Sequence, residues 1–125
     1  MCGTRKGVDN SNVCVTIKMN MAVREYIDEE GASPFARWFG GLDAMAAAKV
    51  ASAVYRLEQG NCSRVEGVGG GVFEYKIHFG PGYRVYFGKD GERLVILLGG
   101  GSKKRQSEDI ASAQACWRDY KRRKR

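Results

Sequence analysis

Residues 72–106 read VFEYKIHFGPGYRVYFGKDGERLVILLGGGSKKRQ, and their apolar positions alternate with polar ones. Phe73, Tyr75, Ile77 and Phe79 interleave with Glu74, Lys76 and His78, and Tyr83, Val85 and Phe87 with Arg84 and Tyr86, the period of two of half-buried strands. Gly80-Pro81-Gly82 predicts the first turn and Asp90-Gly91 a second hairpin, and the continuous apolar run at 94–98 predicts a central strand covered on both faces. A three-residue first loop sets Phe79 opposite Tyr83, His78 opposite Arg84 and Lys76 opposite Tyr86. Four groups that handle phosphate or protons then share one face away from the core. The plain alternative is a solvated cross-strand ladder.

Upstream the period changes to that of helices. Ser33-Pro34 is a capping hydroxyl followed by a proline suited to a first turn, and Phe35, Trp38, Phe39 and Leu42 then share a face that Gly40-Gly41 weaken. Asp43 caps a second helix with Ala46, Val50, Ala53, Val54 and Leu57 at helical spacing, stopped by Gly60-Asn61, so the two helices form a hairpin. The aromatic stripe reads as core rather than as a ligand platform.

Residues 20–27 predict a first strand, with Met21, Val23 and Glu25 on one side and Ala22, Arg24 and Tyr26 on the other; a helix is the competing reading. Gly67, Gly69, Gly70 and Gly71 break the chain before the sheet, and Gly99, Gly100 and Gly101 break it afterwards. Ser107, with Glu108 and Asp109 in the first turn, opens a last helix that aligns Ile110, Ala113, Trp117 and Tyr120, with Tyr120 read as core and 121–125 as a solvated tail. Residues 1–18 have no clear period and no targeting pattern, and are expected to be a loosely ordered leader before a single domain at 19–125. The expected class is α+β: an antiparallel sheet of three to four C-terminal strands plus an N-terminal strand, covered by an N-terminal helical hairpin and a C-terminal helix.

Composition narrows the function classes. The chain has 125 residues, 43% hydrophobic and 28% charged, and lacks an apolar run of membrane-spanning length, which points to one soluble, cytoplasmic domain. Cys2, Cys14, Cys62 and Cys116 are scattered and accompany a single histidine, so neither a zinc site nor a disulfide framework is signalled, and no metal or cofactor is expected. The net charge is +7, and residues 103–125 hold nine Lys/Arg against three Asp/Glu, while the preceding residues hold twelve against eleven. Such a basic end suits nucleic acid, an acidic protein partner or simple solubility. The GGGSKK stretch lacks the first glycine of a phosphate-binding loop, which argues against a nucleotide hydrolase.

GVFEYKIHFGPGYRVYF, then LVILLGGGSKKRQSEDIASA, and the earlier YIDEEGASPFARWFGGLD together resemble the RelE/ParE toxin superfamily, and more closely its HigB-like addiction-module killer proteins, over about residues 21–123. The resemblance implies a RelE-like fold and the toxin of a type II toxin–antitoxin pair. In one branch such a toxin is a ribosome-dependent, metal-independent endoribonuclease (an mRNA interferase) that blocks translation and arrests growth; in another it inhibits DNA gyrase by binding. An inactive toxin retaining only antitoxin binding is a third reading. For the ribonuclease branch the implied catalytic set is Arg84, the GYR arginine, with Lys76, His78 and Tyr86; Lys103, Lys104 and Arg105 are the implied RNA-binding residues. Lys76 stands where relatives carry the arginine of ELR, which keeps charge and loses the bidentate fork. LLGGGSKK departs from the LLHxFxKK of many relatives, with Gly99 at the histidine position and Gly101 at the aromatic one. The implied partners are a cognate antitoxin of the helix-turn-helix type, the ribosome with its message, and promoter DNA through the antitoxin.

Overall fold

The computed structural model describes residues 20–124; the expected leader lies outside the described residues. The local signals upstream act as expected. Ser33 Oγ accepts a hydrogen bond from Ala36 N at 3.0 Å ahead of helix α1 (Pro34–Gly40), and Asp43 Oδ1 accepts one from Ala46 N at 2.8 Å ahead of α2 (Ala44–Glu58). Gly60, at φ 81°, turns the chain after α2 as only glycine does without strain.

Strands β1 (Ala22–Glu25), β2 (Val65–Gly69), β3 (Val72–Ile77), β4 (Tyr83–Lys89) and β5 (Leu94–Ser102) form one sheet in the order β1-β5-β4-β3-β2. A 3₁₀ turn, Lys103–Arg105, leads into α3 (Gln106–Lys124). β2 to β5 pair antiparallel, whereas β1 lies parallel to β5, so the α+β class stands and the sheet is mixed rather than wholly antiparallel. The central strand is β4; β5 is covered on both faces as expected but lies one place off centre.

Four further expectations are corrected. α1 lies mainly on β5, while α2 touches β1 and β3, and the two helices meet each other little, so they act as separate covers more than as a hairpin. The first glycine cluster does not precede the sheet, because Gly67 and Gly69 belong to β2 and the turn that follows leads back into β3. The second cluster continues β5. A Cβ at Gly100 would overlap the Trp38 ring and one at Gly101 would overlap the Asp109 carboxylate, so these glycines are the gaps into which α1 and α3 pack. The last helix begins at Gln106 rather than Ser107, because the 3₁₀ turn takes the place of a capped start.

The largest correction concerns the second face of the sheet. One core joins Phe35, Val50, Leu57, Tyr75, Ile77, Val85, Phe87 and Leu97 under α1 and α2. The other joins Tyr26, Val72, Tyr86, Ile96, Leu98, Ala113 and Trp117 under α3. The face read as lying away from the core is therefore covered along most of its length, and only the end beside the β3–β4 turn stays open. At the opposite end of β3 and β4, Gly71 and Gly88 make room for Trp117, whose ring stacks on Tyr120 at 5.2 Å between centroids. Tyr120 is core-packed as expected, and its hydroxyl donates to Asp90 Oδ2 at 2.6 Å. Among the described residues no helix is long and apolar enough to cross a membrane.

Candidate functional site

The β3–β4 connection spans five residues rather than three, closed by Gly82 N donating to Phe79 O at 3.0 Å, with Gly80 and Gly82 at φ 56° and 82°. The register is accordingly shifted by two residues from the expected one. Lys76 lies opposite Arg84 and Glu74 opposite Tyr86, and His78 falls in the loop. A shift of two preserves which face each side chain takes, so the grouping survives while its pairs change.

At the open end the Gly82 carbonyl accepts from Lys103 N at 2.8 Å and from Arg84 Nη1 at 3.2 Å. One turn carbonyl thereby brings the start of the 3₁₀ turn beside Arg84. An open groove of about 470 Å³ runs along this end, lined by Lys76, His78, Phe79, Tyr83, Arg84 and Lys103 together with the Gly80-Pro81-Gly82 turn. His78 is exposed, Lys76 half-buried and Arg84 only 9% exposed.

Glu74 is the residue that sequence reasoning passed over. It is 2% exposed, and its Oε1 accepts from Gln106 Nε2 at 3.1 Å and stands 3.5 Å from Arg84 Nε, an ion-pair distance without hydrogen-bond geometry. Lys76 Nζ lies 4.0 Å from Glu74 Oε2 and 2.7 Å from Glu66 Oε1 on the neighbouring strand. The Lys76 ammonium holds the Glu66 carboxyl below its usual range. Strand alternation already put Glu74 on the Arg84 side; its burial depends on Gln106 and α3 closing over it, and no local pattern announces that.

Tyr86 is fully buried under α3, its hydroxyl has no hydrogen-bond partner among the described residues, and burial, with the Glu74 and Asp109 carboxylates nearby, pushes its pKa far above that of an ordinary phenol. It is separated from the groove and is not an accessible acid or base. Lys104 and Arg105 are exposed on the 3₁₀ turn outside the groove, and Arg105 Nε is engaged by Glu108 Oε1 at 2.7 Å. Asp109, packed on Gly101, has its carboxyl raised chiefly by burial. Among the described residues no group of three His, Cys, Asp or Glu side chains is arranged to hold a metal.

The chain is 41% identical over 81 residues to an uncharacterized protein of Haemophilus influenzae, a match spanning 64% of this chain and 82% of that one. The chain belongs to the family of that Haemophilus protein. No family model matches it. Family membership therefore brings a shared domain and no stated chemistry.

The geometry itself favours anion binding. Arg84 is held on two sides, by the Gly82 carbonyl and the Glu74 carboxylate, so little side-chain freedom remains to be lost when an oxyanion arrives. Lys103 and Lys76 add cationic ends and His78 adds an imidazole.

Proposed function

We propose that this protein is a HigB-like toxin of the RelE/ParE type, a ribosome-dependent mRNA endoribonuclease of the cytoplasm that is held in check by a cognate antitoxin. The observation carrying this reading is the groove that gathers Lys76, His78, Arg84 and Lys103 around one turn. The α+β architecture with a C-terminal helix over the strand bearing Arg84 agrees with it.

The reaction is an in-line transfer. The 2′-oxygen attacks the adjacent phosphorus, a phosphorane forms, and the bond to the 5′-oxygen breaks, leaving a 2′,3′-cyclic phosphate and a 5′-hydroxyl. Arg84, fixed from behind by Glu74, and Lys103 stabilise the phosphorane by charge-assisted hydrogen bonds, with Lys76 a further cation at the groove. His78, the exposed imidazole of the groove, exchanges protons with the attacking and leaving oxygens. Lys104 and Arg105 extend the cationic surface toward the ribosome or the antitoxin.

Gyrase inhibition is the second reading, and one specific observation favours it. Gly99 and Gly101 offer no acid, base or stacking ring, and Tyr86 is sealed under α3, so proton transfer in the groove falls to His78, with Tyr83 the other hydroxyl or imidazole side chain that lines it. Controlled expression in a bacterial host tests the primary reading: wild type arrests growth with truncated messages, whereas Arg84→Ala permits growth at equal protein level. Equal toxicity of a folded Arg84→Ala would overturn it.

A further inference from the structure

α2 presents Lys49, Ser52, Ala53 and Arg56 along one stripe at helical spacing toward the end of β3. Between that stripe and the strand is a recess of about 220 Å³, lined also by Arg64, Tyr75, Lys76 and His78. Lys76 N donates to Arg64 O at 3.1 Å, which keeps Arg64 beside the strand end, and Lys49 Nζ lies 5.4 Å from the centre of the Phe79 ring.

Two observations single this recess out. No carboxylate lines it, and among the described residues Lys49, Arg56 and Arg64 form no ion pair, Lys76 being the one cation engaged, with Glu66. Gathered cations repel one another and raise the local concentration of anions. Tyr75, 1% exposed, forms part of the closed inner wall of the recess.

We infer that this recess binds a phosphate group, the seat of a flanking backbone phosphate of a single-stranded RNA whose reacting phosphate lies in the Arg84 groove. The identity of the strand rests on the ribonuclease reading; the anion site itself does not. Lys76, His78 and Phe79 line both recesses, so one continuous strand can run from groove to recess. A small pocket walled by separate cations fits a tetrahedral oxyanion, whose several oxygens can each take a charge-assisted hydrogen bond.

The test is binding of a short fluorescent 2′-O-methyl oligoribonucleotide, which cannot be cleaved, by anisotropy over a salt series. Lys49→Ala/Arg56→Ala, at exposed positions, should weaken binding about tenfold and flatten the salt slope by about one to two counterions. Circular dichroism and thermal melting confirm that the double variant folds. No binding by wild type, or an unchanged affinity and salt slope in the double variant, overturns the proposal. So does a double variant that loses only an acidic peptide or the antitoxin. Oligonucleotide binding that depends on Lys49 and Arg56 without cleavage on programmed ribosomes would instead overturn the ribonuclease reading and leave the recess in place.

Discussion

Glu74 and Arg84 lie on adjacent strands with Oε1 and Nε 3.5 Å apart, both buried where the start of α3 meets the sheet. The pair does two things at once, since it neutralises a charge inside the fold and fixes the guanidinium at the groove floor. Glu74→Ala should cost about 3 kcal/mol, the usual consequence of leaving one buried ion without its partner. Urea unfolding measures this. A loss under about 1 kcal/mol would mean that water replaces the carboxylate and that Arg84 is held by other means.

Gly100 and Gly101 test the reading of the β5 glycines as packing gaps. Alanine at either position meets Trp38 or Asp109, so each should destabilise by about 1–3 kcal/mol through overpacking. Gly100→Ala should also change Trp38 fluorescence. Alanine tolerated at both positions would contradict the packing described.

The C-terminal half of α3 docks through two carboxylates. Asp119 is held below its usual range chiefly by the hydrogen bond from Tyr26, with Arg123 assisting, and Asp90 chiefly by Lys124, with Tyr120 assisting. Depressed carboxylates contribute stability above about pH 4 that is lost as pH falls through their folded values. Tyr26 and Tyr120 are pushed up to about 12, chiefly by burial and then by these same carboxylates. Their contribution is complete below pH 10 and is lost as pH rises through about 12. Near-ultraviolet dichroism of Trp117 should therefore hold between these limits and fall outside them. Tyrosinate absorbance with every phenol titrating at its ordinary value would refute the docking scheme.

On the proposed toxin reading, capture by an antitoxin should be steered by the 3₁₀ turn, where Lys103, Lys104 and Arg105 are exposed. Association rate should fall as salt rises, because exposed charges are screened over about 8 Å at physiological ionic strength, while dissociation changes little. Lys103→Glu with Lys104→Glu should slow association in stopped flow without unfolding either protein. A flat salt series would place the steering surface elsewhere.

Much of the fold was legible because its signals are local. Ser33 and Asp43 announced their helices, alternation put Tyr75 and Val85 on one face and Glu74 and Arg84 on the other, and Trp117 and Tyr120 marked the buried side of α3. What was not legible depends on contacts distant in sequence. The parallel pairing of β1 with β5 joins residues about seventy apart in the chain, from Ala22 opposite Leu94 to Glu25 opposite Leu97. The five-residue turn moved Lys76 from Tyr86 to Arg84. α3 turned the face read as lying away from the core into a second core, taking Tyr86 out of the accessible site and making Glu74 the partner of Arg84. Glycines at 99–101 read as a break because their usual meaning is a turn, and only Trp38 and Asp109 reveal them as space for side chains.

The central claim is that Arg84, set in the groove by Glu74 and Gly82, stabilises a transferring phosphoryl group on message RNA. Its most direct measurement is single-turnover cleavage of a defined message on programmed ribosomes by purified protein, with gyrase supercoiling assayed in parallel. The account predicts cleavage by wild type, a rate lower by about 10²–10³ for folded Arg84→Ala, and undisturbed supercoiling. Intact message alongside inhibited gyrase, or an Arg84→Ala protein that cleaves as fast as wild type, would contradict it.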